Sequence, residues 1–161
     1  MCIIVHFHSS NVFATGKTYY YNTFLADPNK FVHINQDTLN TKVRCLAQTA
    51  KALDSGKSVV VDNTNPDKIT RRQYIEVAKT RNIPARCIYF TVPEKICKHN
   101  NAYREFHQNQ KKRVPSVAYA TFYNRLDSPR LTEGFKEIYK IEWAPQFVDD
   151  VDKKAWEMFY F

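Results

Sequence analysis

Residues 1–22 read "MCIIVHFHSSNVFATGKTYYYN". An apolar run from Cys2 to Phe7 gives way to a polar turn, which ends in Gly16, Lys17 and Thr18 ahead of a tyrosine-rich helix start. Strand, loop and helix in that order are the setting in which a phosphate-gripping loop works. Backbone amides at the helix N-terminus face the anion, the lysine reaches the β/γ-phosphates, and the hydroxyl reaches magnesium. The pattern has glycine where Asn11 stands. Asparagine tolerates positive φ better than most residues, and Ala14 is small enough for close approach. Gly16, Lys17 and Thr18 are therefore the candidate ATP-binding residues, with Thr18 toward Mg2+. The competing reading is a helix start with an incidental Gly-Lys-Thr.

Further along, short apolar runs alternate with helical patterns. "FVHIN" (31–35), "SVVVD" (58–62), "ARCIYFT" (85–91) and "EIYKIEW" (137–143) read as strands. The uninterrupted apolar run of the second marks a central parallel strand. Helices are expected over 16–26 and over 37–56, the latter on the spacing of Leu39, Val43, Leu46, Ala50 and Leu53, with Gly56 as its stop. Another is expected after Asn65 as N-cap, ending at Asn82 and Pro84. Pro93 opens a helix to about Phe106, a short helix runs from Ser116 to Leu126, and Val151, Ala155, Trp156 and Phe159 mark a closing amphipathic one. Between them "HQNQKKRVP" (107–115) is polar, basic and unperiodic, a loop. The alternation predicts an α/β fold, a parallel sheet with helices on both faces, in which ligands bind at the carboxyl ends of the strands.

At 161 residues and 43% hydrophobic, the chain is one domain with a sizeable core. No apolar run approaches the roughly 20 residues that span a bilayer, and the first residues do not form a secretory signal. Four widely spaced cysteines exclude a C-x-x-C zinc module and a disulfide framework, and place the chain in a reducing, intracellular setting. The formal net charge of +8 attracts polyanions such as DNA or RNA, although solubility alone accounts for many basic surfaces.

Chemistry-bearing residues should follow strands. Asp37, after the second strand, is placed to accept a proton from an attacking hydroxyl; an ordinary helix cap is the alternative. Asp62 ends the third strand, where a carboxylate assists magnesium or merely caps a turn. Arg104, with Lys111, Lys112 and Arg113, can close on phosphates, or be a solvated helix end. Arg71 and Arg72 fall in the first turns of a helix, where the dipole disfavours cations; this favours an anionic partner such as a nucleic-acid phosphate, with simple surface tolerance as the alternative. His6 and His8 read as core or rim residues.

The segments "VHINQDTL", "GKSVVVDNTNPD", "TRRQYIEVAK", "KHNNAYRE" and "LTEGFKEIYKI" follow one another as in the kinase domain of bifunctional polynucleotide kinase 3′-phosphatases, which the chain resembles from about Phe31 to Ile141. That resemblance implies a P-loop NTPase fold, adenylate-kinase-like, with a short lid at about 100–115 and a single kinase domain over 1–161. The implied reaction is transfer of the ATP γ-phosphate, with magnesium, to the 5′-hydroxyl of DNA or RNA, in nuclear DNA strand-break repair. By position, Lys17 and Thr18 match the loop lysine and magnesium-binding hydroxyl, Asp37 the catalytic base, Arg71 a DNA-contacting arginine and Arg104 the lid arginine. The family's loop usually reads G-[FY]-P-[GA]-x-G-K-[ST], and its base segment N-R-D-T. Here Asn11, Val12, Phe13 and Gln36 depart from those patterns. There is no D-x-D-G-T phosphatase motif and no room for a forkhead-associated domain. Two other readings stand beside the kinase: a nucleic-acid-binding remnant that has lost turnover through its altered loop, and a small-metabolite kinase on the same fold.

Overall fold

The computed structural model describes residues 1–8, 20–107, 114–142, 144, 145, 147 and 149–158, with 5–8, 104, 106 and 107 described through their backbone alone. Five strands form one sheet: β1 (Ile3–His8), β2 (Phe31–Ile34), β3 (Ser58–Val61), β4 (Ala85–Thr91) and β5 (Glu137–Glu142). Their order is β2-β3-β1-β4-β5, and every pairing is parallel. The connecting helices are α1 (Gln36–Leu39), α2 (Lys42–Asp54), α3 (Lys68–Lys79), α4 (Glu94–His107) and α5 (Ser116–Arg125), with α6 (Asp150–Met158) closing the chain.

The apolar strand runs follow from burial on both faces. Side chains alternate across a strand. Ile3, Val59, Val61, Cys87 and Tyr89 point to one face, where Cys45 and Leu53 of α2 and Tyr74, Ile75 and Ala78 of α3 complete a core. Ile4, Val60, Ile88 and Phe90 point to the other, against Cys97 of α4 and Tyr119 of α5. A polar alternation would have left one face wet.

Helix boundaries depart from expectation where local backbone chemistry intervenes. The helix expected over 37–56 is two. Asn40 takes a left-handed φ of 64° and ends α1, and Thr41 caps α2 by accepting from the Arg44 amide at 3.2 Å. The buried stripe of α2 is therefore Cys45, Thr49, Ala52 and Leu53, whereas Val43 is 76% exposed. At its far end Gly56 does stop the helix, in the left-handed region at φ 83°, with its amide on Leu53 O and that of Lys57 on Ala52 O. The N-cap of α3 is Asp67, not Asn65: the Asp67 carboxylate accepts from the Thr70 amide at 2.7 Å, and Asn65 is held at φ 41° in the preceding turn. Of the helix expected over 16–26, residues 16–19 lie outside the described residues, and the rest forms a single π-helical turn, Tyr21–Leu25.

α6 lies along α4. The Trp156 ring meets His99 edge-on at 4.2 Å, and its indole N–H donates to Asn100 Oδ1 at 2.8 Å. Residues 100–107, expected to begin a lid, belong to α4, and the loop residues 108–113 lie outside the described residues. The Asn101 amide joins the two sides of that loop: it donates to Val114 O and accepts from the Val114 amide, each at 3.1 Å.

Candidate active site at the carboxyl edge of the sheet

Because the strands are parallel, the segments that follow β1, β2 and β3 emerge at one edge. The turns after β2 and β3 are laced together there. The Asp62 amide donates to Ile34 O at 2.8 Å, and the Gln36 amide donates to Asn63 Oδ1 at 2.8 Å. Asn35 caps α1 by accepting from the Asp37 amide at 2.7 Å. Asp37 itself stands exposed on the first turn of α1. A carboxylate there is open to a substrate and lies near the positive end of a short helix.

Asp62 is placed in the opposite way. Its side chain is 1% exposed, and its Oδ2 meets His33 Nε2 at 3.1 Å. The imidazole is in turn covered by Tyr21, the rings stacking at 3.9 Å and 11°. Burial, then the nearby Asp62 charge, pushes the Tyr21 phenol above its ordinary range. Ring stack, imidazole and carboxylate therefore form a row from the π-helical turn to the tip of β3. Sequence reading missed His33 and Tyr21 as site residues; the only signal was that His33 sits in the same short segment as Asp37.

Gly16, Lys17 and Thr18 lie outside the described residues, between the end of β1 and the π-helical turn. Arg104 is on α4, with its side chain likewise outside them.

The two arginines expected to contact nucleic acid separate. Arg72 is exposed, its Nε 3.8 Å from Glu76 on the same helix. Arg71 is 0% exposed, which removes it from any nucleic-acid contact in this fold. Its Nε and Nη2 grip both oxygens of Glu133 at 2.8 and 2.7 Å, while Nη1 donates to the carbonyls of Asp127, Pro66 and Asn65 at 2.8, 3.3 and 3.4 Å. Glu133 closes the arrangement by accepting from the Arg130 amide at 2.9 Å. The dipole argument pointed to a nucleic-acid phosphate as the anion beside Arg71; the anion the structure places there is the Glu133 carboxylate. A planar guanidinium suits the task, because it satisfies a carboxylate and several carbonyls at once. Arg71 thereby pins the turn after β3 from beneath.

Beside it, Asp67 takes both Nε and Nη2 of Arg125 on one oxygen, at 3.0 and 2.6 Å. Burial raises its carboxyl, but the hydrogen bonds from Thr70 and Arg125 outweigh this and leave it below the usual range. Lys42 is moved the other way: partial burial lowers its ammonium against the pull of Asp67, with Arg125 adding to the fall.

Among the described residues no group of three or more His, Cys, Asp or Glu forms a dedicated metal cage. The buried Asp62 carboxylate is an oxygen donor of the kind magnesium takes, one or two at a time beside water and phosphate. No helix among the described residues is long and apolar enough to cross a membrane.

Over 111 residues the chain is 39% identical to the bifunctional polynucleotide phosphatase/kinase of Schizosaccharomyces pombe, covering 69% of this chain and 27% of that protein. Over 126 residues it is 38% identical to a putative bifunctional polynucleotide phosphatase/kinase of Acanthamoeba polyphaga mimivirus, covering 77% of this chain and 30% of that one. The chain thus spans under a third of the length of these curated relatives. The crystal structure of a fungal RNA kinase superposes with a TM-score of 0.57 at 16% identity, over 99% of this chain and 98% of the other, and so shares its fold. Residues 12–129 match the AAA domain model. The chain belongs to the AAA domain family, with the parallel sheet of a P-loop kinase, and is similar to the bifunctional polynucleotide phosphatase/kinases.

Proposed function

We propose that the chain transfers the γ-phosphate of ATP to the 5′-hydroxyl end of DNA or RNA. The observation that supports this best is the placement of Asp37: an exposed carboxylate on the first turn of α1, at the carboxyl edge of the sheet, on a turn tied to the tip of β3 through Asn63. A base for an attacking hydroxyl has to be open to substrate and fixed relative to the phosphates.

In this reading Asp37 accepts the proton of the 5′-hydroxyl as the hydroxyl oxygen bonds to the γ-phosphorus and the bond from that phosphorus to ADP breaks, ADP leaving. Gly16 and Lys17 hold the phosphates, and Arg104 is the proposed lid cation that offsets their charge. Thr18 and Asp62 would hold magnesium, which would supply charge compensation at the phosphate oxygens. Gln36 offers a neutral amide beside the base, where the resemblance to the polynucleotide kinases implies an arginine. Arg72, with the basic balance of the whole chain, favours a polynucleotide over a small alcohol. A role at DNA ends in the nucleus follows from the resemblance to the polynucleotide kinases.

The test is transfer of labelled γ-phosphate from magnesium-ATP to a 5′-hydroxyl oligonucleotide. The parent is expected to label the end, and Lys17→Ala to lower the rate by about 10²-fold or more. No labelling by a parent that is folded and binds the oligonucleotide would sink the kinase reading. A nucleic-acid-binding module with an altered loop at residues 11–18 would then be the better description.

A further inference from the structure

We infer that Asn63 is the positioning residue that sets the turn carrying Asp37, and that Tyr74 anchors Asn63 in that task. The role in catalysis rests on the reading of Asp37 as the base.

α1 cannot hold itself in place. It has four residues, its closing hydrogen bonds are Leu39 N to Asn35 O and Asn40 N to Gln36 O, and the left-handed Asn40 ends it. So short a helix is not stable alone, and its orientation comes from outside ties. The Asn35 cap on the Asp37 amide is local and moves with the turn. Leu39 packs on the core, and the Asp62 amide holds Ile34 O at the end of β2; the hydrogen bond that reaches α1 itself from another element is the Gln36 amide on Asn63 Oδ1, one residue from Asp37.

Asn63 is itself fixed from the other side. It is 8% exposed, and its Nδ2 donates at 2.8 Å to the hydroxyl of Tyr74 on α3, which is 0% exposed. Burial of Tyr74 pushes its phenol well above its ordinary range, so the hydroxyl stays neutral, and it lies within hydrogen-bonding reach of the buried Cys45 on α2. A single amide thus has its acceptor end at the rim of the site and its donor end in the core. The residue type is set by this bridge. Only a side chain with an acceptor and a second polar atom at amide spacing joins a backbone N–H to a hydroxyl in this way. Alanine makes neither bond. Aspartate accepts from the Gln36 amide and from the Tyr74 hydroxyl, so it keeps the shape of the bridge.

The experiment compares the parent with Asn63→Ala, Asn63→Asp and Tyr74→Phe. Three readouts are taken: transfer kinetics, magnesium-ADP affinity, and hydrogen–deuterium exchange at the Gln36 amide. Asn63→Ala is expected to lower kcat by about 10²-fold, the scale of an ångström-level misplacement of a catalytic group. KM for ATP and magnesium-ADP affinity stay within about twofold on this reading, and Gln36 exchange accelerates. Asn63→Asp restores much of the lost kcat relative to alanine. Tyr74→Phe keeps the Gln36 bond and loses its anchor, so its loss is smaller. Equal falls in kcat, nucleotide affinity and thermal stability in Asn63→Ala, with no recovery in Asn63→Asp, would make Asn63 a general structural residue and overturn the inference. Unchanged Gln36 exchange in Asn63→Ala and Tyr74→Phe would also overturn it. If the parent transfers no phosphate, the kinase reading fails separately, and the exchange result still decides whether Asn63 sets the turn.

Discussion

The turns after β2 and β3 leave the same edge of one sheet and are built in opposite ways. The first is shallow: α1 has no buried residue, Asp37 is exposed, and the turn is held by a few hydrogen bonds. The second is rooted. Asp62, Asn63 and Asn65 are buried, and the guanidinium of Arg71 donates from below to the Asn65 and Pro66 carbonyls. On the proposed kinase reading the difference divides the tasks. A carboxylate that must meet changing substrates belongs on the exposed turn. One that must hold a fixed charge pattern beside phosphates belongs on the rooted turn, where low dielectric strengthens its interactions.

The strongest way to break this contrast is to uproot the second turn. Arg71→Ala leaves Glu133 buried without its guanidinium, and removing one partner of a buried pair costs about 3–5 kcal/mol. Denaturant unfolding should show a loss of that order, and a change under about 1 kcal/mol would mean that the turn does not depend on Arg71.

Asp62→Ala comes next. It removes the partner of His33 at the tip of β3 and is expected to cost about 1–3 kcal/mol in the same unfolding experiment. Transfer should fall with it. Full activity in a folded Asp62→Ala protein would separate β3 from the chemistry.

A smaller effect sharpens the comparison by pH. The folded-state carboxyl of Asp67 is depressed by Thr70 and Arg125, so its stabilising contribution is present above the ordinary carboxyl value of about 4. That contribution fades as pH falls through the lower, folded value. Arg125→Ala should therefore lower thermal stability near neutral pH slightly and converge with the parent in acid. A gap that widens below pH 4 would reverse the sign of the argument.

The smallest expected effect on folding is that of Arg72→Ala, within about 0.5 kcal/mol, as for most surface substitutions. If Arg72 meets a phosphate, the same variant weakens oligonucleotide binding and reduces the salt slope by about 1. An unchanged slope would leave the arginine as a solvated surface group.

Adjacent residues show where sequence reading stops. The strands were legible because both faces of the sheet are covered, which writes a continuous apolar run into Val59, Val60 and Val61. Gly56 was legible because a left-handed position favours one residue type. Arg71 and Arg72 look alike in sequence, and only the fold brings Glu133, 62 positions away, onto one of them. The split at Asn40 and Thr41 was hidden because asparagine and threonine are tolerated within helices and carry no compulsory break. Val43 fitted the helical spacing of an unbroken helix and lost its place once α2 began at Lys42. The placement of Asp62 directly after β3 and of Asp37 on the helix after β2, both toward the carboxyl edge of the sheet, was legible. His33 and Asn63 were not, since their roles depend on contacts 29 and 27 positions away.

The central claim is that the exposed carboxylate on the shallow turn takes the proton from a 5′-hydroxyl. The most direct measurement is single-turnover phosphoryl transfer to a 5′-hydroxyl oligonucleotide by Asp37→Asn, with magnesium-ADP affinity and unfolding followed in the same protein. The account predicts a rate about 10²–10⁴-fold below the parent, with affinity and stability unchanged. Transfer at the parental rate by Asp37→Asn would contradict it.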